Sequence, residues 1–372
     1  MSDNIPFEIQ SEIIKRLPVK SVLQCRSVSK LWKSLIDSSQ FIKSYHICKT
    51  QQHHHLFVRY NLANEVKYVS IVDDDTFPTQ KSSLTIPHPV SLLRHVEPVD
   101  SGNGLLCFYC SRPDGRIAVL WNPSVGKTVD IPIPNSLLRP VGLTTIGFGV
   151  CPNTSDPKLV RINTIGYNPT VNWEVEVFML STRVWKSVSN IPPTFRTCDL
   201  TFSHVFVDGF IYWCAFDNAK LADRIWSNLI ISFDLKSHEF GEVCLPDRLV
   251  HTNRLVVSKV YESLSLFEYC NDGETRFCDV WIMKEGVTKS FTKMLSIKAP
   301  DSWVSYRVLK LRKNGEAIIE NIDDTNYSSV LEVYDPSSGR ISGMGINGIS
   351  YSFSLGSYME TLLLLDQSNS II

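Results

Sequence analysis

Apolar positions in the first 46 residues recur with a helical period, and from Leu56 onward they alternate. Ile9, Ile13 and Leu17 fall at i, i+4 and i+8 with Ile14 beside them, and Pro6 suits a first turn, so the spacing predicts a helix that Leu17-Pro18 ends. A short segment around Val22 and Leu23 follows. Ser27 is then placed to cap a third helix, whose set Val28, Leu31, Trp32, Leu35 and Ile36 reads i, i+3, i+4, i+7, i+8. A module of about 40 residues rarely encloses its own core without disulfides, metal or a partner. Ile5, Phe7, Ile9, Ile13, Ile14, Leu17, Val22, Leu23, Val28, Leu31 and Trp32 are more apolar side chains than three short helices can hide. Another protein is therefore expected to cover some of them.

After Leu56 the segments are β-branched, aromatic and alternating, and Gly, Pro, Asn and Asp separate them. A strand, turn and strand pattern recurs, with Trp121, Phe178, Phe233, Trp281 and Tyr334 in equivalent places at steps of 57, 55, 48 and 53 residues. An earlier hairpin precedes each, as at Val205-Phe206-Val207 and Phe210-Ile211-Tyr212-Trp213 around Asp208-Gly209. Four strands at a period near 50 describe the blade of a kelch-like propeller. Five repeats fill residues 92–346, and 57–72 with 349–365 are each expected to give two strands of a sixth blade, which would remove exposed sheet edges. A β-sandwich would not explain the repeat. The expected fold is thus α+β multidomain: a three-helix module at 1–46, a connection at 47–55, and an all-β propeller of six blades at 56–372.

Composition narrows the function. Hydrophobic residues are 43% and charged residues 20%, which is globular usage. Lys plus Arg number 37 against 38 Asp plus Glu, a net charge of -1 without the basic excess that phosphate-backbone binding needs, so nucleic acid is not expected as a partner. The first residues lack signal-peptide character and no apolar run reaches bilayer length, which predicts a soluble protein of cytoplasm or nucleus, or both, without membrane contact. The ten cysteines are then expected to be reduced thiols.

Motifs with chemistry are few. Val125-Gly126-Lys127-Thr128 lacks the earlier Gly of a phosphate loop, and Cys107 and Cys110 would point to opposite faces of a strand. His53, His54 and His55 alternate in direction on an extended chain and have no partner at ligand spacing. No catalytic, cofactor-binding or metal-ligating residue is assigned, and no cofactor is expected. Asp323 and Asp324 are the best-placed carboxylates for a propeller enzyme, an alternative that fold alone cannot argue. Trp121, Trp185, Trp213 and Trp281 lie in strand patterns and are read as blade packing, whereas Trp173, Trp226 and Trp303 lie beside turns and are candidates for contact. In a four-stranded blade the second-to-third loops and the inter-blade loops leave on one side. That side collects 111–115, 166–173, 217–228, 271–274 and 323–327 with 132–142, 190–199 and 246–254, and makes Trp173, Arg224, Trp226 and Tyr327 the target-binding candidates.

Ile5-Pro6, the run Glu12 to Ser21, Cys25-Arg26-Ser27-Val28-Ser29-Lys30-Leu31-Trp32 and Phe41 to His46 resemble an F-box. Ile5 stands where that family usually has Leu, and Gln10-Ser11 where an acidic residue is common. Ser101-Gly102-Asn103-Gly104-Leu105-Leu106-Cys107, Leu120-Trp121-Asn122-Pro123-Ser124, Gly147-Phe148-Gly149 and 175–185 resemble the plant F-box-associated (type 1) interaction domain, whose relatives include S-locus F-box proteins. Nothing in the sequence selects that subgroup. The resemblance implies a non-catalytic substrate-recognition subunit of a Skp-cullin-F-box ubiquitin ligase, directing protein targets to ubiquitination and degradation. It implies a Skp-type adaptor, and through it cullin, bound by Ile5, Pro6, Ile9, Ile13, Ile14, Leu17, Pro18, Leu23, Val28, Leu31 and Trp32. An interaction protein outside any ligase is the alternative, and a propeller enzyme a further one.

Overall fold

The computed structural model describes residues 5–49, 54–91, 96–110, 117–134, 144–165, 172–217, 227–271, 273, 275–284, 290–300 and 305–364. It divides into two compact units, one of residues 1–57, 68–135 and 356–372, the other of 58–67 and 136–355. Among the described residues no helix is long and apolar enough to cross a membrane.

The amino-terminal module has four helices rather than three: α1 (Phe7–Arg16), α2 (Val19–Cys25), α3 (Lys30–Ile36) and α4 (Ser39–Lys49). Leu17 is extended and Pro18 precedes α2, so the Leu-Pro pair ends the first helix as expected. The cap of α3 is Ser29, not Ser27, and its side chain accepts from the Trp32 backbone N at 3.1 Å. Ser27 N and Val28 N instead donate back to Gln24 and Cys25, which keeps both residues in the turn after α2. The fourth helix takes in the first three residues of the expected connection, and the first strand starts at His54, taking in its last two. Ile14, Val19, Val22, Ile36, Phe41, Ile42 and Tyr45 form the module's core.

Among the described residues twenty-four strands form six four-stranded sheets, a six-bladed β-propeller. Five are contiguous, at residues 96–132, 144–188, 198–243, 255–298 and 305–349, and become blades 2 to 6. Trp121, Phe178, Phe233, Trp281 and Tyr334 all fall on the third strand of their blade, as the period required. Blade 1 is shared between the chain ends, but as three strands and one: His54–Leu62, Glu65–Asp73 and Lys81–Ser83 pair with Ser354–Tyr358, which lies beside His54–Leu62. The expected division of two and two fails because Ile349 still belongs to the last strand of blade 6. Ser352 N then turns back to Ile349 O, and the apolar residues after Tyr358 leave the sheet.

One turn repeats at the third-to-fourth strand connection. The carbonyls of Asn122, Met179, Asp234 and Asp335 accept from the N–H four residues on, at 3.0, 2.8, 2.9 and 2.8 Å. The fifth residue is left-handed each time, with φ of 67° at Gly126, 55° at Arg183, 61° at His238 and 68° at Gly339. Glycine adopts this freely, and Arg183 and His238 do so at a cost of about 1 kcal/mol. Asn122, Asp234 and Asp335 also accept the N–H two residues on through their side chains, which is why these residue types recur there.

The cores lie between sheets. Phe57, Leu106, Phe108, Val119 and Trp121 form one in the first unit. In the second unit, Val160, Ile162, Val175 and Val177 of blade 3 meet Ile211, Trp213, Ile231 and Phe233 of blade 4. Gly147 and Gly149 allow that approach, since a Cβ at either would stand 2.5 Å from Trp213 or 2.4 Å from Phe206.

Candidate interaction surfaces

Within the helical module, burial separates the predicted adaptor set. Ile9 and Ile13, 51% and 50% exposed, lie a turn apart on α1 with Ile5 ahead of them, and Val28 and Leu31, 69% and 61% exposed, flank the start of α3. Pro6 and Pro18 are exposed, and Leu17, Leu23 and Trp32 half-buried. Ile14 does not belong to this face: it is 2% exposed, one position round the helix from Ile13 and therefore in the core. Trp32 joins α3 to α1, its Nε1 donating to Gln10 Oε1 at 3.0 Å. Arg26 grips the Asp37 carboxylate at 2.5 and 2.9 Å, fixing the end of α2 against the end of α3. The exposed isoleucines and leucine are thus carried on a braced frame.

In the second unit, Tyr327 is 78% exposed at φ 52°, in the turn between the second and third strands of blade 6. Asp323 holds that turn, accepting from Thr325 N at 3.0 Å, Thr325 Oγ1 at 2.6 Å and Asn326 Nδ2 at 2.7 Å. The Thr325 and Asn326 side-chain bonds hold its carboxyl at about 2. A carboxylate so weakly basic is a poor general base at neutral pH. Asp324 accepts from the Tyr351 phenol at 3.1 Å, which brings a second exposed tyrosine beside the turn. Buried Glu320 organises the rest: it accepts from Tyr351 N at 2.7 Å, Ser329 Oγ at 2.9 Å and Arg307 Nε at 2.7 Å. Sequence reasoning missed Tyr351 by assigning it to a strand, although Ser350-Tyr351-Ser352 has turn composition.

Trp173 is not a surface residue. It is 8% exposed, with its ring centroid 5.6 Å from Phe195 and 5.8 Å from Phe240. The strand Asn172–Met179 begins before it, and the alternating set Trp173, Val175, Val177 and Met179 points inward throughout. That alternation is legible in the sequence and would have placed the tryptophan correctly. Arg224, Trp226 and Trp303 lie outside the described residues, as do most of the loops 111–115, 166–171 and 218–226. In the second unit, Phe195, Cys198, Asn228, Glu242, Cys244 and Val250 line a cleft of about 360 Å³.

Among the described residues, one grouping brings three metal-type ligands together: Glu268, Cys270 and Asp279. Its charges are already matched. Arg248 donates to Glu268 and Asp279 at 3.1 Å each, Lys293 lies 2.8 Å from Asp279, and Trp281 Nε1 donates to Glu268 at 3.0 Å. Buried carboxylates paired in this way make a structural network. Cys25, Cys151, Cys214, Cys244, Cys270 and Cys278 are free thiols.

Comparison with known proteins agrees with this architecture. Residues 2–44 match the F-box domain, and residues 40–358 match the F-box associated beta propeller domain. The chain is 26% identical to F-box protein CPR1 of Arabidopsis thaliana, over 97% of its own length and 89% of that protein's. It is 25% identical to the F-box/kelch-repeat protein At3g23880 of the same plant, over 97% and 95% of the two lengths. Among solved structures it is similar to a putative 6-phosphogluconolactonase from Bacteroides uniformis, at 9% identity and a TM-score of 0.43 over 82% of this chain and 100% of that one, which is too distant to carry function. With both domains matched in order across nearly the whole chain, this protein belongs to the F-box proteins that carry an F-box associated β-propeller domain.

Proposed function

We propose that the chain is a substrate receptor of a Skp-cullin-F-box ubiquitin ligase, in which the helical module docks a Skp-type adaptor and the propeller holds a protein target. The observation that carries this reading is the row of exposed apolar side chains Ile5, Ile9, Ile13, Val28 and Leu31. Each is roughly half to two-thirds exposed, so covering the rest would contribute on the order of 1 kcal/mol apiece, which together gives the module a reason to bind a partner. Pro6, Leu17, Pro18, Leu23 and Trp32 border that face. The propeller contributes no chemistry of its own in this role; it raises the effective concentration of target near the charged ubiquitin-conjugating enzyme. Target contact is assigned to the turn bearing Tyr327, with Tyr351 beside it, and to the loop carrying Arg224 and Trp226. The cytosol and nucleus are the compartments this role requires.

Co-purification tests the reading. The full chain should bring down a Skp-type adaptor and a cullin, and Ile13→Asp with Leu31→Asp should lower adaptor capture at least tenfold with an unchanged thermal transition. Adaptor capture that survives both substitutions would reject the docking face, and absence of adaptor and cullin with the unaltered chain would reject the ligase role.

A further inference from the structure

Within the first unit, the chain does not end its structural work at the last strand. Residues 359–364 leave blade 1 and run across one end of blade 2. Asn122 closes the third strand of blade 2, and its Nδ2 donates to Thr361 O at 3.0 Å and to Leu363 O at 2.7 Å. Thr361 and Leu362 are fully buried, and Asn122 with them. Gly104, at φ 82° in the first-to-second strand turn of the same blade, leaves room for the segment: a Cβ there would stand 2.3 Å from Met359 O and 2.6 Å from Thr361 Cγ2. Both contact points are turns on the side of blade 2 opposite its second-to-third connection.

The same segment also touches the helical module. Glu360 accepts from Val19 N at 3.2 Å, satisfying one of the N–H groups that the start of α2 leaves without a helical partner. Its charge also lies close to Tyr45, fully buried on α4, whose phenol donates to Leu17 O at 2.8 Å and is pushed well up by burial and then by Glu360. One short run of chain therefore holds α2 through Glu360 and blade 2 through Thr361 and Leu363.

We infer that residues 359–364 form a strap that fixes the F-box to blade 2, with Glu360 and Asn122 as its positioning residues. Within the first unit the F-box is then carried by blade 2 and is not a module on a loose tether. For the ligase role, on whose correctness this last consequence rests, the strap holds the adaptor-binding helices to blade 2. A receptor whose two ends swing freely would lower the effective concentration of target at the transfer site.

The test compares full-length chain, Glu360→Ala, Asn122→Ala and Glu360→Gln, each bound to adaptor, by hydrogen exchange. Glu360→Ala should speed exchange at Val19 by about five- to tenfold, the loss of roughly one hydrogen bond, and Glu360→Gln, whose amide oxygen still accepts, should restore it. Asn122→Ala should speed exchange in both blade 2 and the first turn of α2, although the side-chain bonds of Asn122 go to the strap and to Ser124 N of its own turn. Adaptor affinity should stay within about twofold in every variant, while ubiquitin transfer to a bound target falls several-fold in Glu360→Ala and recovers in Glu360→Gln. Exchange in α2 that ignores Asn122→Ala would overturn the strap, as would equal loss in Glu360→Gln and Glu360→Ala. A chain that shows the exchange pattern but captures no adaptor would keep the strap and reject the ligase role instead.

Discussion

Lys158, 6% exposed, places its Nζ 2.8 Å from Nε2 of His238 and 2.6 Å from the carbonyl of Leu235. The lysine joins the second strand of blade 3 to the third-to-fourth turn of blade 4. For the ammonium to donate, the imidazole must be neutral at Nε2. Burial first, and then the charges of Lys158 and Lys186, hold the His238 pKa below its ordinary value.

That depression gives a pH dependence with a definite sign. The unfolded chain takes up a proton at His238 as pH falls through about 6.5, and the folded chain does not until lower pH. The folded state therefore loses stability across the interval below pH 6.5, down to the depressed folded pKa, and has its full His238 contribution above it. Urea unfolding of the intact chain and of His238→Asn at several pH values between 5 and 7.5 measures this: the midpoint of the intact chain should fall more steeply on acidification. Parallel pH dependence in the two would show that His238 titrates alike in both states.

Trp173 and Tyr327 should separate stability from recognition. Removing a buried aromatic to Ala costs about 3–5 kcal/mol, so Trp173→Ala should lower the melting transition of the propeller sharply. Trp173→Phe should cost less, since the indole Nε1 has no hydrogen-bond partner among the described residues. Tyr327→Ala should leave the transition unchanged and weaken target capture, with adaptor capture intact. Calorimetry paired with target pull-down reads both, and a Tyr327→Ala chain with full capture would remove the residue from the target face.

Gly147 and Gly149 are a test of blade packing. An added methyl at Gly147 meets the Trp213 ring at 2.5 Å and the Ile211 side chain at 2.9 Å, and blades 3 and 4 would have to part to admit it. Overpacking of this kind costs typically about 1–3 kcal/mol. Gly147→Ala should therefore lower the denaturation midpoint, whereas Gly343→Ala, where nothing lies within 4 Å, should be close to neutral. Equal midpoints for the two variants would contradict the close approach of the sheets.

The sequence by itself determined what depends on neighbours along the chain. Hydrophobic period separated helices from strands, and Asn122, Asp234 and Asp335 marked turns because their side chains bond within two or three residues. The fifty-residue spacing of Trp121 to Tyr334 counted five blades because each blade is one local meander. The F-box motif likewise located the helical module. Tertiary structure decided what depends on which side of an element another element covers. Ile13 and Ile14 are adjacent and chemically identical, yet one is 50% exposed and the other 2%, because the face that meets α2 and α4 is set by packing. Trp173 was drawn inward by Phe195 and Phe240, and Tyr351 was brought to Asp324 across 27 positions. The contact of Glu360 with Val19 spans 341 residues, and no local pattern encodes a hydrogen bond that exists only once segments so far apart have folded together.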